Sequence, residues 1–296
     1  VVMHHHRLRI VACGDQMIYA HDFLETYAGV CRHTSLRLLL ALAALLGWIL
    51  TGADVSTAYL HAPLRGQDVW MRPPKGFPST TSEGRPALLL LKMALYGLRQ
   101  SAREWAITLI AWLLAWEYEK GTPTFVRSDT DPYMFIWKST TGILVLLLWV
   151  DDLFMAHSCS KMRAAFMAAA STRFRLKDLG AMSSALGAAV NQDLVAGTVT
   201  LSLERYIGDT ARRFDLHADN HWADIPAPLH QVQECKAYTS TDAEVSGHLD
   251  SYRAIVGVIV HVYTFCRPDM GYIASYLSSV SRPGPPHLRL ARRAMG

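Results

Sequence analysis

The alternation of apolar and polar residues divides the chain into predicted helices and strands. Leu36–Leu46 is rich in Leu and Ala and has no β-branched residue, which predicts a buried helix that Gly47 ends. Ser101–Tyr118 carries Trp and Leu at helical spacing, and Lys161–Phe174 predicts a third helix.

Short apolar runs between these helices predict strands. Trp48–Ala53 predicts a strand that leads to Asp54, and Leu88–Lys92 predicts another. The residues before Asn191 pair with Val199–Leu203 in a predicted hairpin.

The last part of the chain is predicted to be mainly helical. Tyr252–Phe265 and Met270–Val280 carry apolar residues at helical spacing, and we expect them to pack as an antiparallel pair. A basic cluster follows, formed by Arg289, Arg292 and Arg293. These arginines could contact duplex phosphates or be solvated, and we favour the solvated interpretation.

Composition narrows the class of protein. About half of the 296 residues are apolar and 18% are charged, which is typical of a globular chain. The net charge of +4 is compatible with nucleic-acid binding without requiring it. The five cysteines show no metal-ligand spacing and predict reduced thiols in an intracellular protein. The longest apolar run, Leu38–Leu50, is too short to span a bilayer, and no signal-peptide pattern opens the chain.

Three aspartates form the candidate catalytic constellation. Asp151-Asp152 follows the apolar run Ile143–Val150, and Leu153–Ala156 continues it, which predicts a hairpin with two carboxylates at its tip. With Asp54, three carboxylates would converge and repel one another unless a cation lay between them. Magnesium prefers such oxygen ligands, and two ions can promote an in-line phosphoryl displacement. The alternative is a solvated Asp-Asp turn with no function.

The motifs around these aspartates resemble the reverse transcriptase of copia-type long-terminal-repeat retrotransposons. The resemblance begins with D-V-S-T-A-Y-L after the first strand and V-D-D after the hairpin strand, and L-Y-G-L-R-Q-S-A-R-E-W (Leu95–Trp105) is its most specific signature. Further matching segments cover essentially the whole chain in order: Arg7–Gln16, Glu25–Val30, Leu36–Ala44, Val69–Phe77, Ser128–Phe135, Leu176–Gly180, Tyr252–Gly257 and Arg267–Tyr272.

The resemblance implies an α+β fold shaped as a right hand, with fingers, a palm built on an antiparallel sheet, and a helical thumb. It places the fingers at residues 1–48, a first palm segment with the first aspartate at 49–64, and a fingers insertion at 65–98. The palm resumes over 99–205 with the V-D-D hairpin and a primer-grip-like hairpin, and the thumb covers 206–296.

By the same resemblance, Asp54 and Asp151 are the main ligands of two Mg²⁺ or Mn²⁺ ions, and Asp152 is an accessory ligand. The Val55 carbonyl is a further candidate ligand. Tyr59 stands where the family carries an aromatic residue that stacks under the sugar and excludes a 2′-hydroxyl; packing in the palm core is the alternative.

Other residues are implied to bind the nucleotide. Arg7 and Arg9 stand where the family places basic residues near the triphosphate, although either could be a solvated arginine. Tyr96 and Gly97 would approach the nucleotide, with Gly97 allowing close backbone contact. Lys177, in a predicted turn, could protonate the pyrophosphate or simply be solvated.

Template and primer contacts are implied for four more residues: Arg99, Gln100, Trp149 and Gly187. The chain also departs from the family pattern. Trp149 replaces the usual Tyr before V-D-D, and the primer-gripping hairpin has changed to S-A-L-G-A-A-V (Ser184–Val190). Gly29 and Ala102 stand where prolines are usual.

The sequence thus predicts an RNA-directed DNA polymerase that adds deoxynucleotides to a primer on an RNA or DNA template. A catalytically inactive relic that binds nucleic acid is one alternative, and a metal-dependent phosphohydrolase of another fold is a second. The expected partners are a primer–template and deoxynucleoside triphosphates, with no membrane and with a downstream ribonuclease H domain in a longer polyprotein. The family implies a cytoplasmic virus-like particle or the nucleus.

Overall fold

The computed structural model describes residues 9–66, 68–122, 124–216 and 225–295. Within these ranges the chain is α+β and forms two compact units. The first runs to Met182 and includes Asp193–Thr198, and the second comprises Ser183–Gln192 and the residues from Val199 onward.

The first unit is built on three helices and an antiparallel sheet. The helices are α1 (His33–Leu46), α2 (Ser101–Ala115) and α3 (Ser160–Arg173). The sheet has the order β4-β5-β6-β7-β1-β8. Its strands are β1 (Ile49–Val55), β4 (Val126–Arg127), β5 (Met134–Ser139), β6 (Gly142–Trp149), β7 (Asp152–His157) and β8 (Leu176–Ala181). A separate pair joins β2 (Val69–Met71) to β3 (Leu89–Leu91).

Alternation along β1 separates the core from the candidate site. Ala53 and Val55 are buried in the core cluster that contains Trp105 of α2 and Phe166 of α3. Because neighbouring strand residues point to opposite faces, Asp54 lies on the face away from that core. The same strand therefore supplies both packing and chemistry.

The predicted helices and strands of the first unit are largely confirmed, with shifted ends. Gly47 caps α1 in the left-handed conformation, at φ 63°, as expected of a residue without Cβ. Helix α2 ends at Ala115 instead of Tyr118, since Trp116 is extended. Strand β1 continues through Asp54, because it is hydrogen-bonded to a strand on each side.

The prediction of a turn at Leu176–Gly180 is wrong. These residues form β8, which pairs with β1. Its outer side is held by Arg163 of α3, which forms an ion pair with Asp178. Gly180 has φ 68° beside a register shift in the pairing, so glycine marks an irregular strand here and not a turn.

The second unit combines a small sheet with five helices among its described residues. The sheet order is β11-β10-β9, from β9 (Ser184–Ala185), β10 (Ala188–Asp193) and β11 (Thr198–Ser202), so the second predicted hairpin is confirmed. The helices are α4 (Glu204–Arg213), α5 (Leu229–Ala237), α6 (Asp242–Phe265), α7 (Gly271–Ser279) and α8 (Pro285–Met295).

The predicted antiparallel pair of helices is confirmed by α6 and α7. Helix α6 begins at a capping box formed by Thr241 and Glu244. The Tyr252 hydroxyl near the middle of α6 donates a hydrogen bond of 2.6 Å to the Leu277 carbonyl near the end of α7.

Residues 285–295 form the packed helix α8 and not a solvated tail, but Arg289 and Arg292 are exposed on this helix, as the solvated interpretation of the arginines expected. Leu290 and Ala291 are buried, and their side chains supply the apolar contact that a solvated tail would lack. Arg289 pairs with Glu234 at 2.6 Å, and Arg292 donates to the Phe214 carbonyl.

Candidate active site

A row of four residues crosses the sheet on the face that carries Asp54. The strand registers pair Trp149 with Asp152, Asp152 with Asp54, and Asp54 with Lys177. Residues directly opposite in antiparallel strands point to the same face with Cβ atoms about 4.5–5.5 Å apart. The sheet thus places an aromatic ring, two carboxylates and an ammonium group side by side.

Asp151 lies in the turn that joins β6 to β7, directly before Asp152. The Val55 N–H donates a 2.9 Å hydrogen bond to the Asp151 carbonyl, which holds the turn against β1. On the other side, the Trp105 indole N–H donates to the Val150 carbonyl at 2.7 Å. Val150 has φ 54°, a conformation that a β-branched residue rarely adopts, so the surrounding contacts hold the turn in a strained form.

The carboxylates share one electrostatic environment. Burial raises the pKa of Asp152 to about 6, and the charges of Asp151 and Asp54 add to the rise. Burial also raises the pKa of Asp151; a backbone hydrogen bond lowers it, Asp54 raises it, and Arg9 lowers it. Because the pKa values of Asp151 and Asp152 are both raised, a bound cation would favour their ionised forms.

The donor set fits a divalent ion that is completed by substrate oxygens. Among the described residues, no three His, Cys, Asp or Glu side chains are grouped closely enough to form a protein cage for a metal. Magnesium commonly binds through one or two carboxylates together with substrate phosphates, so a closed protein cage is not required. The role of the Val55 carbonyl stays a prediction.

Two tyrosines lie beside the carboxylates. Tyr59, in the short 3-10 helix Ala58–His61, lies 4.8 Å from Tyr96 between ring centroids. Burial raises the pKa of Tyr59, and the nearby charge of Asp151 raises it further. The same two causes, in the same order, raise the pKa of Tyr96. The contact between these two rings could not be predicted from the sequence, because 36 residues lie between them.

Of the two arginines predicted to bind the triphosphate, Arg9 is the one that the described residues include, and it lies at this site. Its guanidinium carbon lies 5.7 Å from the centre of the Tyr96 ring, and its charge acts on Asp151. Arg7, the other predicted triphosphate ligand, lies outside the described residues.

Gly97 permits a close approach, but the partner is the chain's own backbone. It has φ 92°, and a Cβ there would overlap the Ala12 carbonyl oxygen. A Cβ on Gly14 would in turn overlap the Gly97 carbonyl. These two glycines let the N-terminal segment lie against residues 96–99.

Two residues predicted to contact the template form hydrogen bonds to backbone carbonyls within the first unit. Arg99 donates from Nε to the Gly14 carbonyl at 2.7 Å, and the buried Gln100 donates to the Asp22 carbonyl at 3.1 Å. Trp149 lies at the end of the cross-strand row, with its ring 5.4 Å from that of His33. The bonds of Arg99 and Gln100 to the N-terminal segment could not be read from sequence spacing.

Gly187 belongs to the second unit. With Leu186 it forms the two-residue turn between β9 and β10, and both residues have positive φ. Such a turn suits the twist of a hairpin but is unusual for leucine. The structure therefore defines the shape of the predicted primer-gripping hairpin without testing its contact with a primer.

Comparison with known proteins decides the family. Residues 1–228 match the family described as Reverse transcriptase (RNA-dependent DNA polymerase). The chain belongs to the reverse transcriptase family. This confirms the resemblance to copia-type retrotransposons that the motifs carried.

This reverse transcriptase chain matches part of several much longer curated polyproteins. It is 26% identical over 95% of its length to the retrovirus-related Pol polyprotein from transposon TNT 1-94 of Nicotiana tabacum, covering 21% of that protein. It is 29% and 27% identical, over 99% of its length, to the Pol polyproteins from transposons RE1 and RE2 of Arabidopsis thaliana, covering 19% of each. The chain spans about a fifth of the length of these relatives. No solved structure matches it.

None of the helices in the described part of the chain combines the length and apolar character needed to cross a membrane. Among these helices α6 is the longest, with 24 residues.

Proposed function

We propose that this chain is an RNA-directed DNA polymerase that extends a primer on an RNA or DNA template. The observation that carries the proposal is the cross-strand row in which Asp152 and Asp54 lie side by side, with Asp151 in the adjoining turn. In the right-hand arrangement that we propose, the sheet of the first unit is the palm and the helices of the second unit are the thumb.

The reaction is the transfer of a nucleotidyl group to the primer terminus. The primer 3′-hydroxyl oxygen attacks the α-phosphorus of a deoxynucleoside triphosphate, and the bond from that phosphorus to the bridging oxygen breaks. Two divalent ions bound by the aspartates would activate the hydroxyl and neutralise the leaving pyrophosphate. Asp54 and Asp151 hold these ions in our proposal, and Asp152 assists them.

The neighbouring residues would hold the nucleotide. Arg9 binds the triphosphate as a planar guanidinium, which suits phosphate oxygens. Tyr59 lies beside Asp151 and packs under the sugar, so that a 2′-hydroxyl meets its ring. Lys177 lies opposite Asp54 in the sheet, which supports a role in giving a proton to the departing pyrophosphate.

The second candidate function, which the departures from the family pattern raise, is nucleic-acid binding without catalysis. One of these departures is well accommodated. The Gly29 N–H donates to the Tyr133 hydroxyl at 2.8 Å, which a proline could not do, and a Cβ at Gly29 would press on the Tyr133 ring. The fold has therefore adjusted to at least this change.

Primer extension distinguishes the two functions. The chain is incubated with poly(rA)/oligo(dT) and deoxythymidine triphosphate, with Mg²⁺, with Mn²⁺, or with a chelator. A polymerase extends the primer with either metal and stops with the chelator. Binding of the primer–template without extension in any arm would establish the inactive alternative.

A further inference from the structure

The N-terminal segment that carries Arg9 is fastened to residues 96–103 by contacts of several kinds. The Ala12 N–H donates to the Tyr96 carbonyl at 2.8 Å. Gly14 and Gly97 fit together without room for a side chain on either. Farther along, Arg103 of α2 forms an ion pair with Glu25.

Arg99 is the central residue of this attachment. Its Nε donates to the Gly14 carbonyl at 2.7 Å, and its guanidinium lies 5.4 Å from the centre of the Phe23 ring. Thus one side chain holds two separate points of the segment. The Nε–H of Arg99 is thereby committed to the chain's own backbone.

The attached N-terminal segment carries Arg9, which lies at the candidate site. Arg9 lies three residues before Ala12, and its guanidinium sits over the Tyr96 ring beside Asp151. Tyr96 itself provides the carbonyl that accepts from Ala12. Loss of the Arg99–Gly14 hydrogen bond would therefore weaken the attachment of the segment on which Arg9 lies.

We infer that Arg99 is a positioning residue for nucleotide binding, acting through Gly14 and the N-terminal segment to hold Arg9 beside the carboxylates. The inference rests on the proposed polymerase function for its kinetic consequences. It is an alternative to the sequence-based expectation that Arg99 touches the template, and the measurements below distinguish the two.

The test compares Arg99→Met with Arg127→Met. The control is matched because Arg127 also donates from Nε to a backbone carbonyl, that of Pro132, but it lies on the edge strand β4. We expect Arg99→Met to raise KM for deoxythymidine triphosphate about tenfold, with kcat within a few-fold, because a charge-assisted hydrogen bond is lost outside the reacting atoms. Arg99→Lys, which keeps a donor, should recover part of that loss.

Primer–template affinity separates this role from a template contact. Arg99→Met should leave the dissociation constant of poly(rA)/oligo(dT) and its salt dependence unchanged. A weaker and less salt-dependent complex with unchanged KM would show that Arg99 binds phosphates directly, and would overturn the inference. An unchanged KM in an otherwise normal variant would overturn it too.

A third readout remains informative if the wild-type chain proves inactive. Hydrogen exchange at the Ala12 amide should be faster in Arg99→Met and unchanged in Arg127→Met. The affinity of the protein for deoxythymidine triphosphate, measured by equilibrium titration, should fall in the first variant alone. Equal exchange and equal affinity in the two variants would contradict the anchoring role independently of the proposed activity.

Discussion

At the scale of single residues, the aspartates were predictable and their neighbours were only partly so. Three carboxylates that each follow an apolar run indicate a cation site, because burial of like charges is otherwise unfavourable. The position of Lys177 opposite Asp54 was missed, since Leu176–Gly180 has the composition of a turn. Long-range strand pairing decides that conformation, and a local pattern does not contain it.

Replacing Asp54 should change the titration of Asp152. Asp152 has its pKa raised to about 6 by burial and by two neighbouring negative charges, one of which is Asp54. In metal-free Asp54→Asn protein one repulsion is gone, so the pKa of Asp152 should fall while remaining above its ordinary value. Carboxyl carbon NMR over a pH series measures it. An unchanged pKa would mean that the two side chains do not share a site.

Tyr59 should control the choice between sugars. Removal of the ring in Tyr59→Ala would leave space for a 2′-hydroxyl beside Asp151. The ratio of ribonucleotide to deoxyribonucleotide incorporation should then rise by about 10- to 100-fold. Tyr118→Ala, at an exposed tyrosine packed on Trp137, serves as the control. An active Tyr59→Ala enzyme with unchanged selectivity would make the ring a packing residue only.

At the scale of elements, β8 depends on an ion pair as well as on its strand partner. The Arg163 side chain donates to Asp178, and this hydrogen bond lowers the pKa of the carboxyl. A carboxyl with a lowered folded pKa stabilises the fold above its unfolded value near 3.9, and the stabilisation is lost as the pH falls through the folded pKa.

Asp178→Asn should therefore destabilise the first unit at pH 7 and destabilise it less at pH 2.5. The expected loss at pH 7 is under about 1 kcal/mol, because Asp178 is half exposed and surface ion pairs are weak. Urea unfolding followed by tryptophan fluorescence is suitable, since seven of the eight tryptophans lie in this unit. An equal loss of stability at both pH values would assign the effect to something other than the ion pair.

At the scale of the whole molecule, periodicity predicted most helices and strands to within a few residues, and it failed where tertiary contacts decide. The helix at Pro285–Met295 was not predicted, because its three arginines indicate a solvated segment, whereas Leu290 and Ala291 lie on one buried face. The division into fingers, palm and thumb remains a prediction. The primer-grip-like hairpin, assigned to the palm from the sequence, mostly belongs to the second compact unit.

Helix α8 should be part of the stable core of the second unit. Leu290→Ala removes a fully buried side chain and should lower the free energy of unfolding by about 2–5 kcal/mol. Leu229→Ala, at an exposed leucine that begins α5, is the matched control and should change it little. Thermal melting by circular dichroism checks this. Equal stability of the two variants would show that residues 285–295 do not pack as a stable helix.

If Asp151 binds a metal ion for nucleotidyl transfer, Asp151→Asn should abolish primer extension, and measuring extension together with primer–template affinity in this variant tests that role. Affinity should stay within a few-fold, because a metal ligand is lost and no phosphate-binding cation is removed. Asp129→Asn, at an exposed aspartate outside the site, should keep both properties. Undiminished extension by Asp151→Asn, or a parallel loss of extension and affinity, would show that Asp151 does not act as a metal ligand in the reaction.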